Sequence, residues 1–360
     1  MIDAAAAELD RAAARIDRDG GLPTASIARL RDLGVLAAPL PRAHGGQGLG
    51  TEPHGALGLM ALLRSIGRAD LSLGRLFEGH VNALRLIFRD GDATQRQRAA
   101  GDVAGGHLFG LWVTDAEPVR LQGAPDRPTL HGEKLFASGA SLVTRALVTA
   151  TPETGAPRMV LVPLDETRAA GPMPSGLTGM RGAATGRCDL AACAVTREAL
   201  IGRPGAYLLQ PDFSSGAWRG SAVALGGIDR LVDLLRAQLA ARGRDSDPHQ
   251  RVRIGEALIA RETASFWTRR AALLAEGEGF AAGDVSATVN LARIACEQSG
   301  LAVLALVQRG LGLQAFVQSN PAERVMRDLA TYLRQPAPDE TLTEAAAWFT
   351  GRDLPDPEAA

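Results

Sequence analysis

The texture of the chain changes twice, and that order limits the fold more than any short motif does. From Ala4 to about Asp102 apolar residues recur at three and four, as in Leu59, Leu62, Leu63 and Ile66, which predicts helices. Between about His107 and Pro204 short β-prone runs, such as Leu142 to Thr149 and Met159 to Leu164, alternate with proline and glycine clusters. From Gly216 onward Leu225, Ile228, Val232, Leu235 and Leu239 step by three and four again, and similar faces follow through about Gln308. Helices, then strands, then helices predict an α+β fold, with a β unit inserted between two helical parts that pack together. The expected limits are an N-terminal helical domain over 1–104, a central β domain over 105–206 and a C-terminal helical bundle over 207–360.

Local punctuation refines this outline. Four glycines between Leu40 and Gly50 require a loop there, because a helix interior tolerates them only at a cost. A last strand is expected over about Cys188 to Val195, followed by a helical turn that Gly202 to Gly205 break. Pro336 and Pro338 forbid a continuous helix and close the helical pattern.

Composition removes several classes of function. In 360 residues, 39 Lys plus Arg stand against 40 Asp plus Glu, a net charge of −1, so no nucleic-acid partner is expected. With 46% hydrophobic and 22% charged residues the chain has enough apolar material for a globular core. Cys188, Cys193 and Cys296 cannot all pair, and the first two lack zinc-site spacing, so reduced thiols and no metal are expected. Met1 to Asp10 carry acids and alanines rather than a basic, then leucine-rich, leader, which points to a cytoplasmic location. The strongest apolar run, Leu301 to Val307, is far shorter than the roughly 20 residues of a bilayer crossing, so no membrane span is expected.

Scans for common catalytic motifs return little. Gly277-x-Gly279-x-x-Ala282 and Gly310-x-Gly312-x-x-Ala315 have dinucleotide-fingerprint spacing, but both follow helices where the phosphate-binding turn needs a strand. There is no Gly-x-x-x-x-Gly-Lys loop, no Gly-x-Ser-x-Gly elbow and no His-Glu-x-x-His helix.

Four stretches in order carry a resemblance. They are Leu33 to Gly48, Gly132-Glu133-Lys134-Leu135-Phe136-Ala137-Ser138-Gly139-Ala140, Glu198 to Gly205, and Pro321-Ala322-Glu323-Arg324-Val325-Met326-Arg327-Asp328. Nearly end to end, the chain resembles the acyl-CoA dehydrogenase family of flavoproteins. The resemblance implies a helical N-terminal domain, a central β-barrel, a C-terminal four-helix bundle, FAD, and a homodimer or homotetramer. Val113 and Thr114 match the strand that bonds the flavin ring in this family. Phe136 and Ser138 match its aromatic and hydroxyl residues, with Phe for Trp and Ser for Thr, which keep an apolar face and an OH. Gln308, Gly310 and Gly312 resemble the stretch by which a neighbouring subunit holds the ADP part of FAD, and Gln250 resembles a further approaching Gln. Either Arg244 or Arg242 stands for the family's pyrophosphate arginine.

Three departures bear on function. The family's Glu-Pro-x-x-Gly-Ser-Asp run is replaced by Asp115-Ala116-Glu117-Pro118-Val119-Arg120, which puts family-style acyl-CoA binding in doubt. The two positions from which the family supplies a proton-abstracting carboxylate fall on Pro336 and Trp218. Asp339 and Glu340, a short shift away, are the nearest alternatives. Desaturation needs such a base, because an α-proton leaves while hydride passes to flavin. Other candidates are His80, a titratable imidazole on a helix that lines the flavin in this family, and Trp218 with Arg219, which could stack on a flat substrate and pair with an anion. The leading expectation is an FAD-dependent oxidoreductase acting on an acyl thioester or a related small molecule. A flavin monooxygenase on the same fold and a non-catalytic relative are the alternatives.

Overall fold

The computed structural model describes residues 2, 4–124, 126–164, 170–172 and 176–357. The chain opens with helices α1 (Ala6–Asp19), α2 (Thr24–Asp32), α3 (Ala56–Ala69), α4 (Leu71–Asp90) and α5 (Ala93–Ala104). Strands follow: β1 (Phe109–Trp112), β2 (Arg120–Ala124), β3 (Arg127–His131), β4 (Glu133–Ala137), β5 (Arg145–Pro152), β6 (Arg158–Pro163), β7 (Ala170–Pro172), β8 (Gly186–Asp189), β9 (Cys193–Ala194) and β10 (Leu200–Ile201). Helices α6 (Asp212–Ser215), α7 (Ala217–Ala241), α8 (Pro248–Glu276), α9 (Ala282–Leu311), α10 (Pro321–Tyr332) and α11 (Pro338–Phe349) complete it. This is the expected α+β order, with helices at both ends of a curled sheet.

Short-range chemistry sets several boundaries. The Asp70 carboxylate accepts the Ser72 amide at 2.8 Å and starts α4 directly after α3. Asp92 and Gln95 form a reciprocal capping box at the start of α5. The Gln95 side-chain amide then donates to the Glu198 and Leu200 carbonyls at 2.9 and 3.0 Å, which ties the N-terminal helices to the last strand. The glycine-rich loop at 40–50 forms as expected, and Gly46 is obligatory in it: a Cβ there would lie 2.0 Å from the Leu40 carbonyl oxygen.

One sheet has the strand order β10-β6-β5-β2-β3-β9 with β1 paired parallel to β5, and β4-β8-β7 form a second. Ala146, Leu147 and Val148 of β5 are all buried, as in a strand covered on both faces. Lys134, the chain's single lysine, is enclosed in β4. Its Nζ donates to Asp115 Oδ1 at 2.8 Å and Thr149 Oγ1 at 3.0 Å, so the buried cation is paired. The expected strand over 188–195 is two strands, β8 and β9, because the chain turns at Ala192 with φ 53°. The helical pattern also resumes after Pro336: Pro338 sits in the first turn of α11, where its missing N–H has no helical role.

Helices α7, α8 and α9 pack on one another, with α10 on α7 and α9 and α11 on α9. By length and composition the span Ala282–Phe316 could cross a membrane, but α9 is here a central member of the helical body. The N-terminal helices join that body through α3 and α7. Cβ atoms on Gly67 and Gly226 would each fall 2.2 Å from a backbone oxygen of the facing helix, Val223 O and Arg64 O, so the two backbones nearly touch. Beside this crossing Arg64 pairs with both carboxylate oxygens of Asp229 at 2.6 and 2.9 Å.

Candidate functional site

Helix α4 builds one wall of the site. Its buried face carries Leu73, Phe77, Val81, Leu84 and Ile87. Arg75, Glu78, Asn82, Arg85 and Arg89 recur at three and four along another face, so their side chains form one polar stripe. That stripe faces a cleft of about 200 Å³, closed on the other sides by Leu111 and Val113 of the sheet region, by Tyr207 and α6, and by Ala217 and Arg219 at the start of α7. Behind it lies a smaller cavity of about 70 Å³ lined by Gly220, Ser221, Cys296, Tyr332 and Gln335 among others. Arg75, Glu78 and Ala217 line both spaces.

The polar groups here form two linked clusters. Glu78 is buried and accepts from Arg75 Nη1, from Asn82 Nδ2 at 2.8 Å and from the Tyr332 hydroxyl at 3.3 Å. Burial, and then the Glu78 carboxylate, push the Tyr332 phenol well above its ordinary range, so it stays a donor. The second cluster surrounds Glu276, at the end of α8. It pairs with Arg85 and Arg219 and accepts the Trp218 indole N–H at 3.0 Å. Arg219 joins the clusters by donating to Asn82 Oδ1 at 3.0 Å. Burial lowers the Arg219 guanidinium to about 10 despite Glu276, which still leaves it cationic at neutral pH.

On the sheet side four residues singled out in the sequence come together. The Leu135 amide donates to the Thr114 carbonyl at 2.9 Å, and the Trp112 indole donates to the Ser138 carbonyl at 2.9 Å, so the 112–114 and 135–138 segments lie side by side. Val113 and Phe136 are large apolar side chains left 37% and 53% exposed, and Phe136 sits on left-handed backbone at φ 50°. Next to them the Ser138 hydroxyl oxygen accepts from Arg75 Nε at 3.1 Å. An open apolar surface beside a hydroxyl fits a flat heteroaromatic ring such as a flavin.

A second group gathers at the opposite end of α7. Gly310 packs against Leu235 and Gln250, and a Cβ on it would meet them at 2.6 and 3.4 Å. Gln250 is buried with its Oε1 unpartnered. Gln308 and Gly312 are exposed near the end of α9, and Gly312 has φ 63°. Arg244 and Arg242, just past α7, donate to Asp247 and Gln238 respectively. Helix α7 runs from Ala217 to Ala241, roughly 37 Å at 1.5 Å per residue, so these residues and the cleft do not meet within one chain.

The remaining expectations need correction or relocation. His80 is fully buried, and both ring nitrogens are committed: Nε2 lies 2.9 Å from the Leu36 carbonyl, and Nδ1 lies 3.1 Å from the Phe109 amide that donates to it. Burial pushes its pKa down to about 4, so it is a neutral strut between α4, the loop after α2 and β1 rather than a group titrating near neutral pH. Trp218 is enclosed, with its N–H on Glu276, and offers no face for stacking. Arg219 lines the cleft but is 1% exposed, and its terminal nitrogens are spent on Glu276 and Asn82. Asp339 and Glu340 are exposed in the first turn of α11, outside both spaces. Glu78, Tyr332 and Glu276 went unnoticed in the sequence. The only local signal was the polar stripe on α4.

Comparison with known proteins agrees with this architecture. Residues 1–107 match the family model for the acyl-CoA dehydrogenase N-terminal domain. The mouse (Mus musculus) mitochondrial short-chain specific acyl-CoA dehydrogenase is 27% identical over 354 residues, covering 91% of this chain and 82% of that protein. Two solved structures share the fold. Butyryl-CoA dehydrogenase from Megasphaera elsdenii is 16% identical, covers 95% of each chain and has a TM-score of 0.85. Dibenzothiophene monooxygenase TdsC from Paenibacillus sp. A11-2 is 21% identical, covers 98% of this chain and 97% of its own, and has a TM-score of 0.84; it has also been solved with FMN and indole. One fold thus serves a dehydrogenase and a monooxygenase, and this chain shares that fold, with an N-terminal region that matches the acyl-CoA dehydrogenase N-terminal domain.

Proposed function

We propose that this chain is a flavin-dependent oxidoreductase that desaturates a small acyl substrate, with Glu78 as the proton acceptor. One observation carries this reading: Glu78 is a buried carboxylate on the wall shared by the cleft and the cavity, on the same guanidinium as Ser138. The other carboxylates lining these spaces, Asp212 and Glu297, each line only one of them. Val113, Thr114, Phe136 and Ser138 would hold the flavin ring. The flavin, when bound, supplies the two-electron acceptor.

The chain's own residues would do the rest. Arg75, Asn82 and Tyr332 fix the Glu78 carboxylate in one orientation, so that it meets an α-proton without reorganising. The small residues Ala217, Gly220 and Ser221 leave room for only a few carbons behind it, which supports a short acyl group. Arg244, Gln250, Gln308, Gly310 and Gly312, too far from this cleft, would serve a second copy's cofactor. That arrangement supports FAD and a homo-oligomer.

The test begins with gel filtration after incubation with FAD or FMN, reading the visible flavin bands. Anaerobic mixing with short-chain acyl thioesters should then bleach the bound flavin. Glu78→Gln should slow that bleaching by about 10²- to 10⁴-fold, the range for losing a general base, while flavin stays bound. A Glu78→Gln protein that bleaches as fast as the wild type would remove Glu78 from the reaction. Oxygen uptake by the reduced flavoprotein with transfer of an oxygen atom to substrate would favour a monooxygenase instead.

A further inference from the structure

The side chain of Arg75 touches both halves of the site. Its Nε donates to the Ser138 hydroxyl oxygen at 3.1 Å, and its Nη1 donates to Glu78 Oε2. A hydroxyl has one proton and two lone pairs, so an oxygen that accepts from Arg75 keeps its own proton for a different acceptor. The adjacent open surface is that of Val113 and Phe136. A charge-assisted bond from behind also polarises the O–H and strengthens its donation.

We infer that Arg75 is a positioning residue that couples proton acceptance at Glu78 to electron acceptance at the ring seated beside Ser138. This rests on the flavin reading above. The coupling is electrostatic and follows from the order of charges. The guanidinium bonds Ser138 through Nε and Glu78 through Nη1, so the carboxylate partly cancels the charge felt at Ser138. When a C–H bond of the substrate breaks and its proton forms an O–H bond on Glu78, the carboxylate loses its charge. Hydride leaves the neighbouring carbon as the C=C bond forms, and the now uncompensated charge of Arg75 would favour a flavin seated beside Ser138 that accepts those two electrons. Of the other groups lining these spaces with Arg75, the phenols Tyr332, well above its ordinary range, and Tyr207, up to about 12, are held neutral, and the carboxylates Asp212 and Glu297 are paired with Arg89 and Arg334, so none of these offsets the change.

The test measures the flavin's two-electron reduction equilibrium against reference dyes, without substrate, in flavin-loaded wild type, Arg75→Met, Arg75→Lys, Glu78→Gln and Ser138→Ala. Arg75→Met should lower the equilibrium constant by about tenfold, about 30 mV. Glu78→Gln, which mimics the protonated carboxylate, should raise it by a similar factor. Arg75→Lys should recover part of the loss, and Ser138→Ala should lower the constant even if Arg75→Met does not fold. A merely structural role for Arg75 predicts no such opposition of sign. Equal constants in all variants, or Arg75→Met and Glu78→Gln moving the same way, would overturn the coupling while leaving the flavin reading intact. A wild-type protein that retains neither FAD nor FMN overturns the flavin reading, and the coupling with it.

Discussion

Two buried groups, His80 and Asp328, should give this protein opposite and nearly cancelling responses to pH. Burial holds the His80 imidazole down from 6.5 to about 4. Its contribution is therefore present above pH 6.5 and lost as pH falls through about 4. At 1.36 kcal/mol per pH unit that is about 3 kcal/mol. Asp328 behaves in the reverse sense. Burial raises its carboxyl from 3.8 to about 6, against the Met180 amide that donates to it at 2.6 Å and against nearby Arg324. Its contribution is present below pH 3.8 and lost as pH rises through 6, again about 3 kcal/mol. Urea unfolding of wild type, His80→Gln and Asp328→Asn at constant ionic strength separates the two. Between pH 4 and 6.5 the stability of Asp328→Asn relative to wild type should rise by about 3 kcal/mol, and that of His80→Gln should fall by about as much. Differences that stay constant across that window, or that share a sign, would refute the reasoning.

Two further outcomes follow from packing and charge. Glu276→Ala should destabilise the protein by about 3–5 kcal/mol in denaturant titrations, because it strands Arg219 and Arg85 in the interior. A loss under about 1 kcal/mol would mean that water replaces the carboxylate. Gly226→Ala should cost about 1–3 kcal/mol and lower the thermal midpoint, since its methyl group has nowhere to go at the α3–α7 crossing; an unchanged midpoint would show that the helices separate freely.

The sheet side of the candidate site was reached in the sequence through the family resemblance, which short contiguous stretches carry. Val113-Thr114 and the run from Gly132 to Ala140 each keep apolar and hydroxyl residues at fixed short spacings, and β pairing brings the two segments together. The helix side was not. A stripe of Arg75, Glu78, Asn82, Arg85 and Arg89 reads as an ordinary solvated face, and only tertiary structure turns it into a wall. Tyr332 reaches Glu78 across 254 positions and Glu276 reaches Arg85 across 191, distances at which helical periodicity carries no information. His80 misled for a related reason. Its residue type suggests a proton carrier, whereas its role depends on the Leu36 carbonyl and Phe109 amide, which sequence spacing does not bring to it.

The close crossing of α3 and α7 also has a consequence for how the chain is made. The face of α3 that includes Gly67 is covered by α7, which begins only at Ala217, after every strand has been synthesised. The Arg64 to Asp229 pair spans 165 positions and the Arg324 to Asp10 pair spans 314. Loop closure over such lengths adds little at equilibrium, about 0.6 kcal/mol per doubling, but it delays the contact in time. On the ribosome the first helices must therefore emerge with part of their apolar surface still open. Until α7 arrives, only loose local collapse within the chain can shield that surface.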